Sequence, residues 1–108
     1  MNNTQATGLA SVTLVNSSYA LGYFYATNIK QMTMAHLHVG AVGKNGPPVA
    51  WALNASYGTI SGSVRVSFSF NPSVNNISYL LASGLVYFNI HTTAHTGGEI
   101  RGQFKVLQ

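Results

Sequence analysis

Ser61–Phe70, SGSVRVSFSF, alternates with a period of two: Val64, Val66, Phe68 and Phe70 fall on one face, Ser63, Arg65, Ser67 and Ser69 on the other. Successive side chains separate in this way on an extended strand, so one face is built for a core and the other for water. The same pattern runs through ASVTLVN (Ala10–Asn16) and SYALGYFYA (Ser18–Ala26) and continues in QMTMAHLHV (Gln31–Val39). VGKNGPPV (Val42–Val49) is a Gly, Asn and Pro turn cluster, after which WALNASYGTI (Trp51–Ile60) resumes extended structure around another turn. LVYFNIH (Leu85–His91) and GEIRGQFKVL (Gly98–Leu107) read as two closing strands joined through TTAHTGG (Thr92–Gly98).

One segment breaks the alternation. In NPSVNNISYLLASG (Asn71–Gly84), Val74, Ile77, Leu80 and Leu81 recur at helical spacing after a proline, with Gly84 as a stop, and this predicts one short helix. The whole predicts an all-β chain: an antiparallel Greek-key sandwich or barrel of about seven to eight strands. Its 108 residues fit one domain, with residues 1–7 expected to form a flexible N-terminal segment. A domain this size buries roughly two thirds of its unfolded surface, so a metal is not needed as a folding staple.

Composition excludes several chemistries. There is no cysteine, hence no disulfide, thiolate ligand or cysteine nucleophile. Glu99 is the sole carboxylate side chain, which removes paired-carboxylate hydrolysis and leaves a Ser-His-Asp triad without its aspartate. Charged residues make up only 6% of the chain, and the net charge of +4 comes from scattered Lys30, Lys44, Arg65, Arg101 and Lys105. Nucleic-acid binding calls for a basic stripe or patch, so no nucleic-acid partner is expected. No apolar run approaches the roughly 18 residues of a membrane helix, and the opening MNNTQATG lacks the apolar centre of a signal peptide. N-x-[ST] sequons at Asn2, Asn16, Asn54 and Asn76 suit a secreted or cell-surface glycoprotein, although Asn, Ser and Thr are common enough here to produce matches by chance.

All four histidines, His36, His38, His91 and His95, lie in two segments. Residues two apart on a strand share a face with Cα atoms about 6.5–7 Å apart, close enough for two imidazoles to converge on one metal ion. Ala35, Leu37 and Val39 then take the core face. In the later strand Val86, Phe88 and Ile90 form the apolar row, while Tyr87, Asn89 and His91 form the polar one.

These residues carry a resemblance. MTMAHLHVGAVGKNGPPVAWAL (Met32–Leu53) with SYLLASGLVYFNIHTTAHTGGEIRGQFKV (Ser78–Val106) resembles the CHRD domain, the module repeated in chordin and found elsewhere as single copies. The matching motifs are A-H-x-H-x-G at Ala35–Gly40, N-G-P at Asn45–Pro47, Y-x-N-x-H-T at Tyr87–Thr92 and G-G-E-I-R-G-Q at Gly97–Gln103. The order of an early HxH strand, a late strand ending in His, and a Gly-Gly segment running into a strand with Arg is also similar to the copper frame of copper/zinc superoxide dismutases. That similarity implies His36, His38 and His91 as copper ligands, with superoxide-type redox chemistry; the zinc loop and bridging histidine of those enzymes have no counterpart here. By ligand type zinc also fits, while copper binds nitrogen donors more tightly. Chordin is extracellular and binds growth factors, so the resemblance equally implies an adhesive module with a protein or glycan partner. Oligomeric state is not legible.

His95 departs from the family pattern. It is expected either to bend back as a fourth imidazole or to sit in the solvent as a loop residue. Glu99 shares an alternation face with Arg101 and Gln103, and either pins the last strand or, like Asn89, orients a ligand imidazole; Arg101 is placed in the same outer layer. Met32 and Met34 alternate onto the histidine face, where a strand methionine ordinarily packs. Trp51, Tyr23, Tyr25 and Tyr57 are read as strand aromatics that pack in the core or in cross-strand pairs, with a carbohydrate platform as the functional alternative. Affinity for a metal is expected to weaken below about pH 6.5, where free imidazole protonates.

Overall fold

The computed structural model describes residues 4–54 and 58–107. Tyr57 and the sequon asparagine Asn2 lie outside the described residues, as does Ser56 of the Asn54 sequon. Among the described residues six strands form one antiparallel sheet: β1 (Thr7–Asn16), β2 (Tyr19–Val39), β3 (Pro48–Asn54), β4 (Ile60–Phe70), β5 (Val86–Thr92) and β6 (Ile100–Gln103). A 3-10 turn (Val74–Asn76) and α1 (Ile77–Ala82) bridge β4 and β5. The all-β expectation and the single short helix hold. No helix among the described residues is long and apolar enough to cross a membrane.

The strand count falls below expectation because SYALGYFYA and QMTMAHLHV are one strand. β2 runs for 21 residues and pairs with four partners. Its first half lies between β1 and β4, with Phe24 opposite Ala10 and Val66; its second half lies between β3 and β5, with Leu37 opposite Ala50 and Phe88. Core residues alternate through Ala20, Phe24 and Ala26, then recur every third position at Ile29, Met32 and Ala35. Each added residue is a bulge, and the register against β4 shifts between Ala26 and Ile29 and again between Ile29 and Met32. Asn28 (φ 58°) and Gln31 (φ 56°) sit in the left-handed region at these kinks. The kinks turn a strand too long for a flat sheet into the spine of a half-barrel, in place of a two-layered sandwich.

The bulges also overturn one alternation reading. A further register shift between Met32 and Met34 sends Met32 into the core, while Met34 stays opposite His91 on the histidine face. The core fills the concave side, where Phe88 packs against Phe24 at 5.0 Å and against Phe68 at 6.2 Å between ring centroids. In α1, Ile77 and Leu81 are buried as their spacing predicts, but Val74 is exposed because left-handed Asn75 and Asn76 separate it from the helix.

Of the expected N-terminal segment, Thr4–Thr7 are among the described residues. Ala6 is buried, Thr7 opens β1, and the Thr4 hydroxyl donates to the Glu99 carboxylate.

Candidate metal centre

β5 is buried along its whole length, one face by the core and the other by the histidine row. Its register against β2 places Tyr87 opposite His38, Asn89 opposite His36 and His91 opposite Met34, so His36, His38 and His91 share one face of two hydrogen-bonded strands. Cross-strand neighbours on one face are close enough to touch. Here the ring centroids of His36 and His38 are 5.3 Å apart, those of His36 and His91 4.9 Å, and those of His38 and His91 5.6 Å. One nitrogen from each ring lies within 4.8 Å of the others. The residues are 4%, 7% and 7% exposed, so this face, opposite the core row of Ala35 and Leu37, is itself buried.

Two backbone carbonyls set the ring orientations. His38 Nδ1 lies 2.9 Å from Gly46 O, and His91 Nδ1 lies 2.9 Å from Thr96 O. A carbonyl can only accept, so each neutral ring carries its proton on Nδ1 and turns the Nε2 lone pair toward the cluster. His91 Nε2 lies 3.1 Å from His36 Nδ1, whereas His38 Nε2 is buried with no partner. A buried polar atom without a partner costs about 1–3 kcal/mol of desolvation, and one in a native fold calls for an explanation.

The loops that deliver these carbonyls are locally constrained. At Gly46 a Cβ would sit 1.7 Å from Val39 O, so the N-G-P turn closes only with glycine. Tyr87 Oη accepts the Gly46 N–H at 3.1 Å, and its ring stacks on His38 at 4.9 Å and 14°. Arg101 covers the other face of the site's outer layer, with its guanidinium 3.5 Å from the Tyr87 ring centroid and bonds to Asn45 Oδ1 and Ala41 O. On the opposite side Asn89 Nδ2 donates to Gly97 O at 3.1 Å, and Gly98 (φ 126°) passes so close that a Cβ would lie 2.2 Å from Asn89 Oδ1. Asn89 thus bonds the Gly97–Gly98 segment that follows Thr96.

Burial, then the neighbouring His91 and His38, lowers the His36 imidazole from 6.5 to about 4. The His38 imidazole is lowered as well, by burial first and by His91 and Arg101, against the raising effect of its bond to Gly46. Both rings are thus held neutral at neutral pH, which is the ligating form.

The structure brings His36, His38 and His91 together and leaves His95 out of the group. The His95 backbone closes a turn, its N–H donating to Thr92 Oγ1 and its carbonyl accepting from Thr92 and Gly98. The Glu99 carboxylate accepts from Thr92 Oγ1 at 2.9 Å and from Thr4. Burial works to raise the Glu99 carboxyl, but these two bonds and the positive fields of His95 and Lys30 outweigh it, and the net displacement is downward. The acceptors that orient His38 and His91 are main-chain carbonyls, which no residue type announces in a sequence.

Trp51 was legible as a strand aromatic but not as part of this centre. The register between β2 and β3 shifts after Ala35 opposite Leu53, which brings Trp51 opposite His36. Its ring meets the His36 ring edge-on, at 5.1 Å and 80°, yet the residue is 51% exposed. Tyr23 and Tyr25 lie on β2, where Arg65 covers Tyr25 at 4.6 Å.

Comparison with known families gives a match to the CHRD domain over residues 1–104. No curated protein and no solved structure matches the chain.

Proposed function

The chain belongs to the CHRD domain family, and from that premise we propose that it binds a divalent transition metal, copper, through His36 Nδ1, His38 Nε2 and His91 Nε2. The observation that carries this reading is the buried, unpartnered His38 Nε2 in a cluster whose candidate ligand atoms lie within 4.8 Å of one another. Metal–imidazole bonds of about 2.0–2.1 Å require nitrogens no more than about 4.2 Å apart, so small side-chain adjustments close the site. Imidazole suits zinc and copper alike, and copper is preferred because it binds nitrogen donors more tightly in the divalent series. Carbonyl acceptors on the outer nitrogens of His38 and His91 are the usual support for metal-ligating imidazoles.

Three protein ligands leave a coordination position for a small molecule, as in catalytic centres, and this supports one-electron chemistry of the superoxide type. His95 stands outside the ligand set in this reading. Secretion is part of the proposal, supported by family membership and by the exposed sequon residues Asn16 and Asn76.

The test is Cu(II) added to metal-free protein and followed by electron paramagnetic resonance. Nitrogen hyperfine structure is expected in the wild type and lost in a His36→Ala, His38→Ala double variant. Identical spectra from the two proteins overturn the proposal.

A further inference from the structure

The ligand imidazoles are nearly inaccessible, while the one tryptophan of the chain is half exposed and in ring contact with one of them. Among the described residues, two aromatic side chains other than histidine touch the cluster. Tyr87, stacked on His38, is buried beneath Arg101, and Trp51, against His36, opens to solvent. Exposed tryptophans in strands are ordinarily explained by a cross-strand apolar partner. The partner opposite Trp51 in register is instead His36, a proposed ligand.

Resting on the copper reading above, we propose that Trp51 is the surface contact through which the buried metal exchanges electrons, and that its donor is a small anionic one-electron reductant. The donor docks at Trp51 and need not reach the metal. In the forward step an enediolate monoanion such as ascorbate gives up one electron and one proton, becoming its radical anion; Cu(II) gains the electron and becomes Cu(I), and the proton goes to water. Trp51 supplies the contact between the donor and His36 and is itself unchanged. The anionic class follows from charge, since the protein carries a net +4 with Glu99 as its sole acidic side chain. Such a field raises the encounter rate of anions and weakens as salt screens it.

The test loads wild type, Trp51→Leu and Trp51→Tyr with Cu(II) and records the resting resonance spectrum of each. Reduction by ascorbate and by the cationic outer-sphere donor hexaammineruthenium(II) is then followed by stopped flow. The resting spectrum of each variant reports directly any change that replacing Trp51 makes at His36, separately from the rate of reduction. Ascorbate reduction is expected about tenfold slower in Trp51→Leu and largely restored in Trp51→Tyr. The wild-type ascorbate rate is expected to fall with added salt while the cationic donor's rate does not. Equal rates in wild type and Trp51→Leu overturn the proposal, and a faster Trp51→Leu overturns it in favour of direct access with Trp51 as a cover. A wild-type protein that shows no nitrogen-coordinated copper at all refutes the metal site itself, a failure visible in the resting spectrum before any reductant is added.

Discussion

His36 Nδ1 lies 3.1 Å from His91 Nε2, a buried contact between residues 55 positions apart that exists only because β5 pairs with the second half of β2. With the His91 proton on Nδ1, where Thr96 O accepts it, the hydrogen of this contact belongs to His36 Nδ1. The metal-free protein thus holds two of its proposed donor atoms together by the bond that a metal ion would replace. Preorganisation of this kind lowers the ordering cost of binding.

Metal loading should therefore stabilise the fold. A ligand held at a hundred times its dissociation constant adds about 2.7 kcal/mol. For a domain of this size each kcal/mol moves Tm by about 4–8 °C. Differential scanning calorimetry of wild type should show Tm rising by at least about 10 °C with Cu(II) and returning on addition of a chelator. His91→Ala should show no copper-dependent rise; a rise equal to that of the wild type would remove His91 from the ligand set.

The metal-free protein should lose stability as it is acidified. His36 has an ordinary value of 6.5 when unfolded and about 4 when folded, so between these values the unfolded chain binds the extra proton. Stability is full above pH 6.5, falls as pH drops through that window, and levels off below about 4. The displacement corresponds to a loss on the order of 3 kcal/mol from His36, and the lowered His38 adds in the same direction. Urea midpoints measured from pH 7.5 to 4 should fall accordingly in wild type and less in His36→Asn. The same burial carries the loss of metal affinity to lower pH than the free-imidazole value of about 6.5 implies.

Gly46→Ala should damage fold and site together. The added methyl would overlap Val39 O, so the turn must shift, and with it the carbonyl that accepts from His38 Nδ1. A destabilisation of about 1–3 kcal/mol is expected, accompanied by weaker copper binding. Gly43→Ala, in the same loop but with open space around its Cβ, tests the distinction: its φ of 79° costs some stability, while copper affinity should be retained.

How far the sequence carries can be judged from these residues. Alternation placed Val64, Phe68, Leu37 and Phe88 on apolar faces, and the HxH spacing joined His36 to His38, because a strand's period of two is a local property. The fusion of two expected strands into β2 was hidden because bulges at Asn28 and Gln31 break the period without a Gly or Pro to mark them. Met32 was misplaced for that reason. The convergence of His91 on the HxH pair depends on β2–β5 register, which is non-local and entered only through family resemblance. Gly46 O and Thr96 O were beyond reach, since every residue carries a carbonyl.

His95→Asn distinguishes the three-ligand centre from a four-ligand one. The His95 side chain is absent from the cluster, and the turn it occupies is closed by its main chain, which asparagine retains. Isothermal titration should give copper affinities for wild type and variant that agree within about twofold, whereas loss of a real ligand or its support costs about 10–100-fold. A loss in that range would bring His95 back as a ligand.

Asn89→Ala should weaken metal binding without removing a ligand. The Asn89 amide donates to Gly97 O from the centre of β5 and packs against Gly98, fixing the two glycines that follow Thr96. Without it the loop is no longer held from below, and Thr96 O loses its fixed position over His91 Nδ1. His91 can then turn or change tautomer, and its Nε2 leaves the place where His36 Nδ1 meets it. Copper affinity should fall about 10–100-fold, the range seen when an outer hydrogen bond to a ligating imidazole is lost. A nitrogen-15 spectrum of the imidazoles separates this from general destabilisation. In the metal-free variant the His91 resonances should move toward mixed tautomers, while those of His38, anchored independently on Gly46 O, should not. If His38 and His91 shift together, Asn89 supports the sheet as a whole; if neither moves and affinity is unchanged, the Gly97–Gly98 loop holds Thr96 without its help.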